Sequence, residues 1–461
     1  MTQQTISPID GSLYVERPCA TAQEIDAKLA KARKAQADWK RTPLSDRIAI
    51  CRRFAEAMVS NRDQLGIELA WQMGRPIRYG PSEIDTMAKR VTAMCDLAEG
   101  ALADVALAPL DGFTRFIRRE PLGIVFSIVP WNYPYLTAVN TVVPALIAGN
   151  AVILKHSPQT PLCAEAMAKA FEDSGIPEGV FQYLHLTIEE TQKIARGSEI
   201  DFLAFTGSVA VGRALQKLAG DRFIGVGLEL GGKDPAYVRP DANLAHAVEN
   251  LIDGAFFNSG QSCCAIERLY VHETIYDRFV RDAVELTYRY VLDTPLRKET
   301  TLGPMVRASS ADFVRGQIGE AVSQGAKALI DEARFPASQA GTAYLAPQIL
   351  VDVHHSMRVM TEESFGPVVG IMKVSSDDVA VGLMNDSPFG LTAAVWTEDE
   401  KAALALGDRI ETGTWFMNRC DYLDPELPWV GVKNSGRGLT LSLLGFDHLT
   451  RPKSFHLRTR T

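Results

Sequence analysis

The sequence predicts an α/β fold: a doubly wound parallel-sheet domain, a second α/β domain after it, and a small β arm. Three observations carry that reading. The chain has 461 residues, more than one hydrophobic core normally fills, so two or three domains are expected. Apolar segments such as GIVFSIV and NAVILK, separated by a helix-length stretch, have the continuous hydrophobicity of strands buried on both faces. A second alternation of strands and helices begins after Gly231-Gly232.

In chain order, the first hundred residues read as helices. Apolar spacing of helical period covers Ala22 to Trp39 and Ser45 to Ser60, with cap residues between Thr42 and Asp46. From Gly123 to Gly220 the order is strand GIVFSIV, loop PWNYP, helix YLTAVNTVVPALIAG, strand NAVILK, helix CAEAMAKAFEDSG, strand VFQYLHL, and IDFLAFTG running into a helix. Pro121 to Leu154 holds no charged residue, long enough for a membrane span. Pro130, Pro134 and Pro144 interrupt it, which favours a buried βαβ unit. The second series comprises DPAYVRP, a helix from Asn243 to Phe257, IERLYVHETIY, a helix from Asp277 to Tyr290, VVGIMKV, a helix from Asp377 to Met384, LTAAVWT and GTWFMN. The terminal RPKSFHLRTRT alternates like a strand. With few partners nearby in sequence, it is expected to pair with another subunit.

Composition excludes several classes. Hydrophobic residues are 46% and charged residues 23%, an ordinary globular balance that can build cores of this size. A net charge of −8 with no basic run argues against nucleic acid and anionic membrane as partners. The seven cysteines are scattered and odd in number, without CxxC or Cys/His spacing. That disfavours a disulfide framework and a metal site, and a reducing cytoplasm is expected. The N-terminus lacks the basic flank and apolar stretch of a signal peptide.

Four segments contain residue types that structure alone does not require. In GQSCCAIERLYV a cysteine follows a Gly-Gln turn, where unpaired backbone N–H groups lower a thiol pKa; an arbitrary cysteine is more often a small buried hydrophobe. In LELGGKDP, Glu229 lies between leucines, so desolvation should raise its pKa toward that of a general base; a strand-end carboxylate facing water is the alternative. In PWNYP two prolines fix the backbone around Asn132, whose amide can donate to an oxyanion, although such a loop is also simply a good turn. In AFTGSVAVGRAL a strand enters a helix through Gly207-Ser208, a phosphate-binding geometry, yet the full G-x-G-x-x-G fingerprint is absent.

In this order, together with LKHSPQTP, EESFGPV, SPFGLTAAVWT and GVKNSGRG, these segments resemble the aldehyde dehydrogenase superfamily nearly end to end. Glu229 and Cys263 stand 34 positions apart, the spacing of that family. The resemblance implies Cys263 as nucleophile, Asn132 as oxyanion donor and Glu229 as general base. The Glu229 match implies hydrolysis of the thioester rather than its transfer to coenzyme A. It implies cofactor contacts from Trp131, Lys155, Gly207, Ser208, Gly212, Glu363 and Phe365, and substrate contacts from Tyr133, Thr137, Asp421, Leu423 and Trp429, with Tyr135, Leu136, Asn140 and Tyr422 beside them. It implies a cofactor-binding domain at 1–102 and 122–231, a catalytic domain at 232–448, and an oligomerisation arm at 103–121 and 449–461 of a homodimer or homotetramer.

One departure bears on the cofactor, NAD or NADP. The position three after Lys155 is Pro158, where a glutamate would repel a 2′-phosphate. Nothing there excludes NADP, and the reading leans to NAD. The tunnel residues are aromatic and include no arginine, so a neutral aromatic or aliphatic aldehyde is expected, with a semialdehyde or an amino-aldehyde as alternatives. A non-catalytic protein on the same fold is the alternative from another class.

Overall fold

The computed structural model describes residues 1–460. Two strands open the chain, β1 (Thr2–Ile6) and β2 (Leu13–Pro18), paired as an antiparallel hairpin where only helices were expected. Val15 is the one large apolar side chain the hairpin buries, so its strands carry no hydrophobic alternation to read.

Four helices follow: α1 (Ala22–Trp39), α2 (Leu44–Ser60), α3 (Arg62–Met73) and α4 (Gly80–Leu102). A capping box between Thr21 and Glu24 starts α1. Its apolar stripe ends in Trp39, whose indole N–H donates to the Leu146 carbonyl. Short β3 (Val105–Ala106) and β4 (Phe113–Pro121) lead into the first parallel series: β5 (Ile124–Ile128), α5 (Pro134–Ile147), β6 (Ala151–Lys155), α6 (Pro161–Asp173), β7 (Phe181–Tyr183), α7 (Ile188–Arg196), β8 (Phe202–Thr206), α8 (Val209–Ala219) and β9 (Gly225–Glu229). Every residue of β5 is buried, as expected for a strand covered on both faces.

The second series contains β10 (Asp234–Val238), α9 (Leu244–Phe256), β11 (Ile266–His272), α10 (Tyr276–Thr287), α11 (Ala308–Ser323), β12 (Lys327–Ala328), β13 (Gln348–Val351), β14 (Val368–Val374), α12 (Asp377–Asn385), β15 (Thr392–Trp396) and β16 (Thr414–Met417). It forms a sheet in the order β12-β13-β14-β11-β10-β15-β16, parallel except for β12. Strand β17 (Gly436–Arg437), inside the expected catalytic segment, instead adds antiparallel to β9 and completes the first sheet, β17-β9-β8-β5-β6-β7. The two sheets are therefore stitched together at the strand that ends in Glu229. No described helix is long and apolar enough to cross a membrane.

The terminal strand β18 (Thr450–Arg458) lies beside β4 in its own chain, in antiparallel register from Thr450↔Pro121 to Arg458↔Phe113. This corrects the expectation that it needs another subunit for a partner. Phe116 stacks on Phe455 across the pair, 4.5 Å between centroids. Thr461, the last residue of the expected arm, lies outside the described residues.

Candidate active site

The loop that carries the cysteines begins with left-handed backbone. Asn258, Ser259 and Gly260 take φ of 53°, 57° and 69° in succession. Such a run is costly for residues with side chains and persists only when neighbours over-determine it. Here they do. Asn258 Nδ2 donates to the carbonyls of Asn132 and Gln261, both at 3.2 Å, and Ser259 Oγ donates to the Gly303 carbonyl at 2.8 Å. A Cβ on Gly260 would sit 2.2 Å from the Gly366 carbonyl oxygen, so only glycine lets this loop meet the loop after Glu363.

Gly231-Gly232 plays the same part on the other side. A Cβ at Gly231 would overlap the Glu363 carboxylate, and one at Gly232 would lie 2.5 Å from the Cys263 carbonyl oxygen. Cys263, Glu363 and the end of β9 are thereby drawn to one place. Lys233 pairs with Glu267 in the interior, and Glu267 accepts the backbone N–H groups of Ser364 (2.8 Å) and Phe365 (3.0 Å).

Cys263 and Glu229 line the same cavity, of about 750 Å³. Cys263 is partly accessible, whereas Cys264 is 2% exposed. The two differ further in their bonding. Asp421 Oδ1 accepts from Ser262 Oγ and from Cys264 Sγ, each at 2.9 Å. The hydrogen bond with Cys263, then burial and the nearby Asp421 charge, hold the Cys264 thiol well above the usual thiol range. A thiol held protonated is a poor nucleophile, and of the two cysteines that line the cavity only Cys263 is partly accessible. Asp421 thus lines the cavity but spends its carboxylate on the loop.

Asn132 is buried, and its side-chain Nδ2 donates to the Gln261 carbonyl at 3.2 Å, two residues before Cys263. Its own carbonyl accepts from Arg75 Nη2 at 2.5 Å. Arg75 is the hub here. Its guanidinium pairs with Glu83, donates to Asn258 Oδ1 at 3.2 Å, and lies 4.5 Å from the Tyr133 ring centroid. Glu83 in turn accepts the N–H groups of Tyr135 (2.9 Å) and Leu136 (3.3 Å), capping α5 from a different helix.

Burial raises the Glu229 carboxyl above the usual carboxylate range, opposed by hydrogen bonds from Thr440 (2.5 Å) and Thr206 (3.1 Å). This is the environment of a general base tuned upward. At the cavity mouth, burial and the charges of Asp421 and Glu249 push the Asp253 carboxyl up to about 6. Tyr133, Leu136, Thr137, Asn140, Tyr422, Leu423 and Trp429 line the cavity as expected, but Tyr135 turns into the core.

A second cavity, of about 1070 Å³, runs along α8 and beneath the N-terminal hairpin, with Lys155 in its wall. Burial lowers the Lys155 amine to about 8. Ser208 begins α8 without any side-chain cap, so the first N–H groups of that helix are open to an anion. Gly212 faces the other way: a Cβ there would meet Leu230 Cδ2 at 2.6 Å, so it lets α8 pack on β9. Trp131 and Phe365 meet edge to face at 5.7 Å, and Glu363, raised to about 8 by burial, accepts the Gly232 N–H at 3.0 Å. Two α/β sheets, a dinucleotide-sized cavity and a cysteine–glutamate cavity at their junction define an aldehyde-oxidising class of enzyme.

Comparison with known proteins narrows that class. The model of the aldehyde dehydrogenase family matches residues 1–455, and the chain belongs to this family. A curated relative from Mycobacterium tuberculosis, "Succinate-semialdehyde dehydrogenase [NADP(+)] 1", is 33% identical over 98% of both chains. A solved indole-3-acetaldehyde dehydrogenase complexed with NAD+ is 31% identical, with a TM-score of 0.93 over 99% of this chain and 93% of its own. A succinic semialdehyde dehydrogenase from Streptococcus pyogenes, solved with NADP+, is 27% identical, with a TM-score of 0.94 over 99% of this chain and 100% of its own.

Sequence reasoning missed Arg75, Glu83 and Arg90, all from the N-terminal helical segment. A signal was present for Arg90. It falls on the stripe Met87, Val91, Met94, where a helix buries its apolar face. Arg75→Met should lower stability by about 3–5 kcal/mol, because Glu83 stays buried without its partner. It should also lower kcat by about a hundredfold, through the freed Asn132. Thermal melting and steady-state rates test this together; an unchanged kcat in folded protein would separate Arg75 from the site.

Proposed function

We propose that this protein oxidises an aldehyde to its carboxylate with NAD(P), using Cys263 as nucleophile, Asn132 as oxyanion donor and Glu229 as the base that directs water. The observation that carries the proposal is the shared cavity. Cys263 and Glu229 open into it together, while Asn132 lies against the residue two before Cys263.

Cys263 thiolate adds to the carbonyl carbon, and the new oxyanion is met by the Asn132 amide and the Cys263 backbone N–H. A bound nicotinamide supplies the hydride acceptor. Departure of the hydride leaves a thioester on Cys263. Glu229 removes a proton from water, the water oxygen forms the new bond to the acyl carbon, and the Cys263 sulfur leaves as thiolate.

The larger cavity and the start of α8 fit a dinucleotide: Ala210 and Val211 of the uncapped first turn reach its wall, where free N–H groups suit a pyrophosphate, and Lys155 suits the adenosine ribose. Lys155 and Arg307 stand in that wall against a single acid, Asp10, which supports NADP as well as the NAD toward which the sequence leans. The relatives' names point the same way. Walls of Tyr79, Tyr133, Phe257, Tyr290 and Trp429 support a neutral aromatic or aliphatic aldehyde. The semialdehyde names of two relatives favour the second reading, a carboxylate-bearing aldehyde. The paired strands β4 and β18 leave a long strand edge that supports assembly of copies, and seven free cysteines support a reducing cytoplasm.

Cys263→Ala should abolish turnover, whereas Cys264→Ala should keep most of it; the reverse would overturn the assignment. In Glu229→Gln a stopped-flow burst of reduced cofactor should survive while steady turnover falls by about a hundredfold or more. A burst lost in step with turnover contradicts that division of roles. Lys155 is cationic only below its pKa of about 8, so the ratio of KM for NADP to KM for NAD should climb as pH passes that value. A ratio that stays flat across that range would remove Lys155 from 2′-phosphate recognition.

A further inference from the structure

Burial places an arginine in the catalytic cavity that the reaction above does not use. Arg90 of α4 is 5% exposed and lines the cavity beside Asn140 and Glu229. Its Nη1 donates to the Leu136 carbonyl at 3.1 Å and to Asn140 Oδ1 at 2.7 Å. Among the described residues, no carboxylate forms an ion pair with it, and its Nε and Nη2 have no hydrogen-bond partner. Neither atom is sealed from the cavity space, since neither is among the buried side-chain atoms left without partners. Three of its five donor hydrogens are therefore open on a cation already desolvated. Burial lowers its pKa to about 10, still charged at neutral pH.

The other charges of the cavity are otherwise engaged. Asp421 is held by Ser262 and Cys264, and Glu229 by Thr206 and Thr440, with the Arg90 charge acting on it without a hydrogen bond between the two. Glu249 and Arg289 are exposed at the rim, where water screens them, and Asp253 beside them is an acid whose proton affinity is already raised. A buried guanidinium fork with open N–H groups matches the planar geometry of a carboxylate and has no comparable use toward an uncharged aldehyde.

We propose that Arg90 is the receptor for a carboxylate at the far end of the substrate, so that the aldehyde this cavity takes is a semialdehyde carrying an acid group. This rests on the aldehyde-oxidising reading of Cys263 and Glu229, and it adds the substrate class and the residue that selects it. The fixed contacts to Leu136 and Asn140 hold the fork in place before substrate arrives, so little side-chain entropy is lost on binding.

The test compares succinic semialdehyde with butanal, the uncharged aldehyde of the same chain length, in the full-length enzyme with either cofactor. Wild type should favour the semialdehyde in kcat/KM. Arg90→Met should raise KM for the semialdehyde about tenfold to a hundredfold relative to KM for butanal, while any change in kcat through the neighbouring Glu229 falls on both aldehydes alike. Butanal oxidation doubles as the control for folding. If Arg90→Met does not fold, Arg90→Lys keeps the charge without the fork and should show the same selective rise, reduced in size. Equal losses on both aldehydes would show Arg90 acting through Glu229 and overturn the proposal, as would a wild type indifferent to the acid group. A wild type that oxidises neither aldehyde overturns the parent reading and this one with it.

Discussion

The buried ion pair between Arg75 and Glu83 is the interaction on which the site depends. Each partner is almost wholly removed from water, so neither tolerates loss of the other. Each also holds backbone that neither its own helix nor its own loop can hold. Glu83 caps the helix that follows Asn132, and Arg75 grips the Asn132 carbonyl and the Asn258 side-chain amide at once. The loop of Asn132 follows a strand of one sheet, and the loop of Cys263 precedes a strand of the other. A single guanidinium thus sets the distance between Asn132 and the turn that presents Cys263.

Around that hub, burial sorts carboxylates into different tasks. Glu267 is matched by Lys233 and by two backbone N–H groups, so it serves as an anchor for the loop bearing Glu363 and Phe365. Glu229 has no paired cation at hydrogen-bond distance; burial raises its proton affinity, which the Thr440, Thr206 and Asn140 side chains and the Arg90 charge only partly oppose. Asp421 is satisfied by Ser262 and Cys264 and so fixes both neighbours of Cys263. Three acids of one chemistry thus become an anchor, a carboxyl of raised proton affinity and a clamp according to what surrounds them.

Much of this was legible in the sequence. Strands apolar throughout, such as Ile124–Ile128, announced a sheet covered on both faces, and Ala22–Trp39 showed its apolar stripe, although the Thr21–Glu24 cap that starts it was not read. Cys263, Glu229 and Asn132 each sit in a local pattern with a chemical reason. Features that depend on distant segments were not legible. The first hairpin buries too little to show alternation, and the partner of the terminal strand lies most of the chain away at Phe113–Pro121. Arg90 belongs to a helix far upstream of the loops searched for a cation, so the tunnel was read as lacking arginine; only packing of α4 on α5 brings it in.

The central claim is that the acyl group passes through Cys263 and no other thiol. Peptide mass mapping of Glu229→Gln, quenched during turnover with aldehyde and cofactor, reads it directly. The account predicts an acyl mass on the peptide that contains Cys263 and Cys264, with fragmentation placing it on Cys263. An acyl group on Cys264, or a quenched enzyme with both thiols free, would contradict it.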